Sequence, residues 1–269
     1  MRIFSLLFLV SLLFLPQFMK SDFKVPPTFS QIPNRPEWQS TPSPEILAIL
    51  NQPFTYLAHG NQSTVFTSHD GQYVLKLLRY TRSRFPLIHN LKNALHNKPK
   101  HDLFTKLNKT LHAAHLAATE ASAFTQVVYC HLNLTENQLP LAHLASHTLP
   151  LDRQRFILQR KVTPFKEALL AARNNPEEMH QLIDSFIALI HNRSSLDIRN
   201  SDPNLGPNFG FLNGNAVEID FGNYRKAPQQ PHEINAYITR LEHWLAKNAP
   251  EYKGTGWETF ELPKQSNVK

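Results

Sequence analysis

The chain is short of the residues that staple, bend and cluster charge. Cys130 is its only cysteine, so no intrachain disulfide can form, and a cysteine-ligated zinc site would need most of its ligands from elsewhere. Its setting, Val127-Val128-Tyr129-Cys130, reads as a buried thiol. There are only 8 glycines in 269 residues, and six of them fall between 60 and 71 or between 206 and 222. No arginine-rich block or basic patch interleaved with aromatics appears, although 28 basic against 21 acidic residues leave a net charge of +7. That dispersed charge carries no clear nucleic-acid signature. No internal repeat is visible, which excludes solenoid and propeller architectures.

The N-terminus carries a long apolar run. Residues 3–19 are uncharged and dominated by Leu and Phe, between Arg2 and Lys20. As a helix they would reach roughly 25 Å, marginal for a bilayer and long for a signal core. No clear Ala-x-Ala cleavage pattern follows. Residues 1–20 are therefore read as a signal peptide or a membrane anchor, with a soluble helix as a third reading. The expected location is membrane-anchored or exported, with the side unassigned because Arg2 competes with Lys20 and Lys24. Six prolines between positions 26 and 44 make residues 21–45 a tether or a surface strap.

From Phe54 the pattern becomes strand-like. Phe54-Thr55-Tyr56-Leu57, Thr64-Val65-Phe66-Thr67 and Tyr73-Val74-Leu75-Lys76-Leu77-Leu78 are separated by short turns, the second holding Asp70-Gly71. An antiparallel sheet follows from this. Leu103, Leu107, Leu111, Ala114, Ala118 and Ala121 then recur at helical spacing, predicting a long helix within 87–125. Residues 126–132 and 156–161 read as strands, with 133–155 mostly connection around Pro140 and Pro150. Helices are predicted over 165–173, 176–192 and 231–247. The second has Asn175 as N-cap, Pro176 at the first helical position and Glu177-Glu178 in the first turn. His112 and His115 share a helix face, but without matching acid or cysteine ligands they read as surface or interhelix histidines.

Near the C-terminal end, Asn208-Phe209-Gly210-Phe211 and Val217-Glu218-Ile219-Asp220 flank a turn at Leu212-Asn213-Gly214-Asn215. A small hairpin there would bring Asn208 and Asp220 together. Taken with the upstream hairpin and Lys76, the order ending in Asp220-Phe221-Gly222 resembles the protein-kinase-like superfamily over about residues 54–225. The resemblance implies an α+β, two-lobed fold: an antiparallel sheet plus long helix in the N-lobe (46–162), and a small, mainly helical C-lobe (163–255) before a tail (256–269).

It also implies a site that uses ATP and Mg²⁺. The glycine-rich loop would fall on residues 58–65, where Gly60, Asn61, Gln62 and Ser63 would cradle phosphates through backbone amides. Only Gly60 keeps the family glycine; Ala58 and Ser63 replace the flanking two. Lys76 would contact phosphates and pair with Glu120 of the long helix. Asp202 would orient or deprotonate the acceptor hydroxyl, with Asp197 as an alternative base, and Asn208 and Asp220 would hold the metal. The spacing of six rather than five between Asp202 and Asn208 departs from the family and is what keeps Asp197 open as the base; Asn204 is the alternative ligand should Asn208 be structural. The family's His-Arg pair is replaced by Asn200-Ser201, and no Ala-Pro-Glu segment follows Gly222. The expected function is phosphoryl transfer to a small-molecule, lipid or sugar hydroxyl. The alternative is a noncatalytic nucleotide-binding or interaction domain with a protein partner.

Overall fold

A computed structural model describes residues 32–60, 62–79, 103–144, 147–228 and 231–254. The chain forms two lobes, with a sheet in the first and mostly helices in the second. The first lobe opens with α1 (Pro44–Leu50), whose N-cap Ser43 accepts a hydrogen bond from the Ile46 amide, with Pro44 at the first helical position. Strands β1 (Pro53–His59), β2 (Ser63–Ser68) and β3 (Tyr73–Leu78) follow. Buried and half-buried residues alternate along β2, as expected of a strand with one face in a core. The β2–β3 turn closes at Gly71, at φ +69°, a left-handed conformation that favours glycine.

The long helix α2 spans Leu103–Thr119, and a single turn, α3 (Ser122–Thr125), leads into β4 (Val127–His131). The stretch expected to be mostly connection contains a hairpin, β5 (Leu141–Leu144) and β6 (His147–Pro150), before β7 (Phe156–Arg160). These strands form a seven-stranded sheet in the order β4-β7-β3-β2-β1-β5-β6. Its pairings are antiparallel except the short β1–β5 contact at Pro53–His143 and Phe54–Leu144. This parallel pairing adds to the expected antiparallel sheet a strand that is only four residues long and follows Pro140, too short to carry a period in the sequence. One face of the sheet packs with α2, Trp38 and Cys130; the other packs with α1. Cys130 is a free, buried thiol, and desolvation pushes its pKa up to about 12.

The second lobe is built on α4 (Phe165–Ala171), α5 (Pro176–Ser195) and α7 (Pro231–Asn248). Asn175 caps α5 by accepting from the Glu178 amide, and Met179, Leu182, Ile183, Phe186, Ile187 and Ile190 form its buried stripe. Between these helices lie β8 (Thr163–Pro164), β9 (Ile198–Arg199), α6 (Leu205–Asn208), β10 (Phe209–Leu212), β11 (Asn215–Glu218) and β12 (Arg225–Lys226). β10 pairs with both β11 and β8. The β8 contact requires glycine at 210, because a Cβ there would stand 2.4 Å from Val162 and 2.6 Å from the Thr163 carbonyl oxygen. β12 pairs with β9, bringing the segment after Gly222 back beside the loop that carries Asp202.

The expectation of a membrane-anchored or exported chain is corrected: among the described residues no helix is long and apolar enough to cross a membrane. The apolar residues 3–19 that prompted it lie outside the described residues.

Candidate active site

The β10–β11 hairpin places the two proposed metal ligands. Its turn holds Asn213 and Gly214 at φ +51° and +78°, the paired left-handed residues of a tight hairpin. At the open end, Asn208 stands beside Ile219 and Asp220, and its carbonyl accepts both their amides, at 2.7 and 3.3 Å. Asn208 is buried and donates its Nδ2 to the Asp202 carbonyl at 3.1 Å. That leaves its Oδ1 as the acceptor free of a protein partner among the described residues. The Asp220 carboxylate is exposed, and its Oδ1 accepts the Gly222 amide at 3.1 Å. An amide oxygen and a carboxylate are hard donors of the kind that suit Mg²⁺. Among the described residues no group of three or more His, Cys, Asp or Glu is placed to hold a metal ion.

Lys76 reaches this group from β3. Its Nζ donates to the Ile219 carbonyl at 2.5 Å and stands 5.5 Å from the centre of the Phe221 ring. Desolvation lowers the ammonium pKa to about 8, and the nearby Asp220 charge opposes that shift. Phe221 is buried under α2 with Leu111 and Ala117. Asp202 is half-buried, and its Oδ1 accepts the Asn204 amide at 3.2 Å, so Asn204 is engaged through its backbone as the N-cap of α6. Asp197 lies at the other end of β9, in a turn at φ +54° where its amide and carbonyl bond Ser194 and Ala227.

The β1–β2 turn, which the sequence resemblance assigned to phosphates, also arrives beside Gly222. The Gly60 amide donates to the Ser63 carbonyl at 2.9 Å, closing the β1–β2 turn. Gln62 packs on Gly222: a Cβ at 222 would stand 1.9 Å from its Oε1. Gly60 itself faces open space and does not take a positive φ, so its glycine is not demanded by sterics in this conformation. Asn61 lies outside the described residues.

Glu120 is a correction. It follows the last residue of α2, and the buried Ala121 takes the inward position beside it. The carboxylate is 47% exposed and pairs with Lys226 of β12, not with Lys76. Spacing from Leu116 pointed inward, but the helix ends before that position completes its turn.

Sequence reasoning missed the residues that hold these groups from behind. Arg193 and Glu218 form an ion pair at 2.5 Å with both side chains fully buried. Glu218 also accepts from Tyr224 Oη at 2.5 Å and from Asn200 Nδ2 at 2.7 Å. Tyr237 Oη donates to the Asn200 and Asp202 carbonyls at 2.7 and 3.4 Å. A signal was present: Arg193 continues the apolar stripe of α5 at i+3 from Ile190 and i+7 from Phe186.

No protein-family model matches the chain, and no curated protein matches it. Solved structures do. Two structures of WbdD, one described as a bifunctional kinase-methyltransferase, are each 14% identical, with TM-scores of 0.39 and 0.38; the matches cover 74% and 71% of this chain. Rv3197 from Mycobacterium tuberculosis, solved in complex with erythromycin, is 18% identical over 70% of this chain, with a TM-score of 0.36. The chain spans 38%, 37% and 53% of the lengths of those three proteins' chains, respectively. The likeness is distant and concerns fold alone.

Proposed function

We propose that this chain is a reduced kinase-like phosphotransferase that uses ATP and Mg²⁺ and acts on a hydroxyl of a non-protein acceptor. One observation carries the reading: a lysine ammonium, a buried asparagine and two aspartates converge from separate elements on the end of one small hairpin. Lys76 neutralises the phosphates, which would also restore its own ammonium in a desolvated position. Asn208 and Asp220 would hold Mg²⁺, which when bound would neutralise charge on the phosphate oxygens. Asp202 accepts the acceptor's proton as the new O–P bond forms; the bond from the γ-phosphorus to the bridging oxygen breaks, and ADP leaves with that electron pair. Only eight residues separate Gly222 from α7, too few for an extended protein-docking segment, so a small molecule, lipid or sugar is the acceptor class.

A second reading, nucleotide binding without transfer, is favoured by the Glu120–Lys226 pair, because the acid expected to engage Lys76 is turned to Lys226 instead. Calorimetry of the full chain with Mg²⁺ and a nonhydrolysable ATP analogue tests the shared part of both readings. Wild type should bind in a metal-dependent manner, with that dependence lost in Asp220→Ala and affinity reduced in Lys76→Ala. Binding unaffected by either change would overturn the assignment. Slow ATP hydrolysis by wild type but not by Asp202→Ala would favour transfer over binding alone.

A further inference from the structure

The side of the candidate site that carries both aspartates is backed by a buried ion pair for which the proposed chemistry has no use. Arg193 comes from the last turn of α5 and Glu218 from the end of β11, and neither side chain touches solvent. Arg193 is sparingly satisfied: among the described residues its Nε and Nη2 find no well-aligned hydrogen-bond partner, and its guanidinium lies over the Tyr237 and Tyr224 rings at 5.1 and 5.9 Å. Burying two charges on these terms is an expensive way to fill space, and apolar residues of similar volume commonly hold a fold as well or better. What the pair does supply is direction. Glu218 presents acceptors only, and Asn200 meets one of them.

Asn200 is the link between the two aspartates. It is buried; its Oδ1 accepts the Asp202 amide at 3.1 Å, and its Nδ2 donates to Glu218 and, at 3.3 Å, to the Asp220 carbonyl. A carboxamide can be inserted either way round. Here the Glu218 carboxylate permits one orientation only, since the flipped amide would set oxygen against oxygen at Glu218 and N–H against N–H at Asp202. We propose that Arg193 and Glu218 are positioning residues that, by fixing the Asn200 carboxamide, set the spacing of the Asp202 backbone from the Asp220 backbone. The inference rests on the proposed function for what the aspartates do; the hydrogen-bond chain itself stands apart from it. Glu218→Gln keeps the shape but places an NH₂ against one of three donors, so it should loosen Asn200 without emptying the core.

The test uses the full chain as wild type, Glu218→Gln, and the double variant Arg193→Met/Glu218→Leu, which replaces the ion pair with apolar volume. Thermal unfolding reports the fold, Mn²⁺ titration with a nonhydrolysable ATP analogue reports the metal site, and hydrogen exchange reports the Asp202 and Gly222 amides. The double variant should unfold cooperatively, yet bind Mn²⁺ about 10–100-fold more weakly, the usual cost of removing support from a metal ligand. Both amides should exchange at least about tenfold faster, a local opening of a little over 1 kcal/mol. Wild-type Mn²⁺ affinity in the folded double variant overturns the proposal, because a merely structural pair would leave it unchanged. Should that variant not fold, Glu218→Gln is judged by the same criteria. Should wild type itself bind no Mn²⁺ with the analogue, the proposed function fails, and amide exchange alone decides this inference: faster at both amides supports it, unchanged rates overturn it.

Discussion

The two sides of the candidate site, one wall from the sheet and one from the helical lobe, are built by opposite means. On the sheet side, the β1–β2 turn reaches the site through Gln62, an exposed side chain resting on Gly222, and β3 reaches it through Lys76, whose ammonium donates to the Ile219 carbonyl. On the helical side, Asp202, Asn208 and Asp220 are tied to one another through backbone groups and held from behind by Arg193, Glu218, Asn200 and Tyr237. The sheet side offers charge with little restraint; the helical side offers restraint bought with buried charge. Under the proposed function the contrast is the expected one: two carboxylates kept at a set spacing would need directional bonds, whereas a loop that admitted and released a nucleotide would need few.

The sharpest break in this comparison is Arg193→Ala. It leaves Glu218 buried without its counter-ion, so a loss of about 3–5 kcal/mol is expected in urea unfolding. A loss below about 1 kcal/mol would mean the helical wall does not depend on the pair. Gly210→Ala comes next: its Cβ would collide with Val162 and with the Thr163 backbone, and backbone cannot rotate away. The expected cost is about 1–3 kcal/mol by the same measurement.

A smaller effect separates the walls by pH. The folded-state pKa of Lys76 is about 8, below its ordinary 10.5, so the unfolded chain holds more protons between those values. Stability contributed at this position is therefore lowest below about pH 8 and rises as pH climbs toward 10.5. Lys76→Met should raise stability at pH 7 by on the order of 1–2 kcal/mol and flatten that rise, read from urea midpoints at pH 7 and 9.5. An unchanged pH slope would show the ammonium to be solvated. Smallest is Gln62→Ala, which should alter stability by less than about 0.5 kcal/mol while changing the analogue's on- and off-rates, measured by stopped flow. A larger stability loss would show the sheet wall to be as restrained as its partner.

Much of the frame was legible in the chain itself. Asp70-Gly71 and Asn213-Gly214 announced their hairpins because left-handed turns leave few residue choices. Asn175-Pro176-Glu177-Glu178 announced the start of α5, since unpaired amides select an acceptor, a proline and acids at such a start. The β5–β6 hairpin was not legible, because four-residue strands beside prolines carry too little period. Nor was the direction of Glu120: four residues from Leu116 is an inward position only while the helix continues, and α2 stops at Thr119.

The sequence by itself determined the longer elements and their order, and with them that Asn208 and Asp220 would meet at one hairpin end. Those are local matters of periodicity, capping and turn geometry. Only the tertiary structure decided that Lys226 rather than Lys76 takes Glu120, that Gln62 covers Gly222, and that an arginine on an apolar stripe finds a glutamate 25 residues on. Each depends on which side chains a buried or crowded space leaves as partners, and that is settled when the lobes pack.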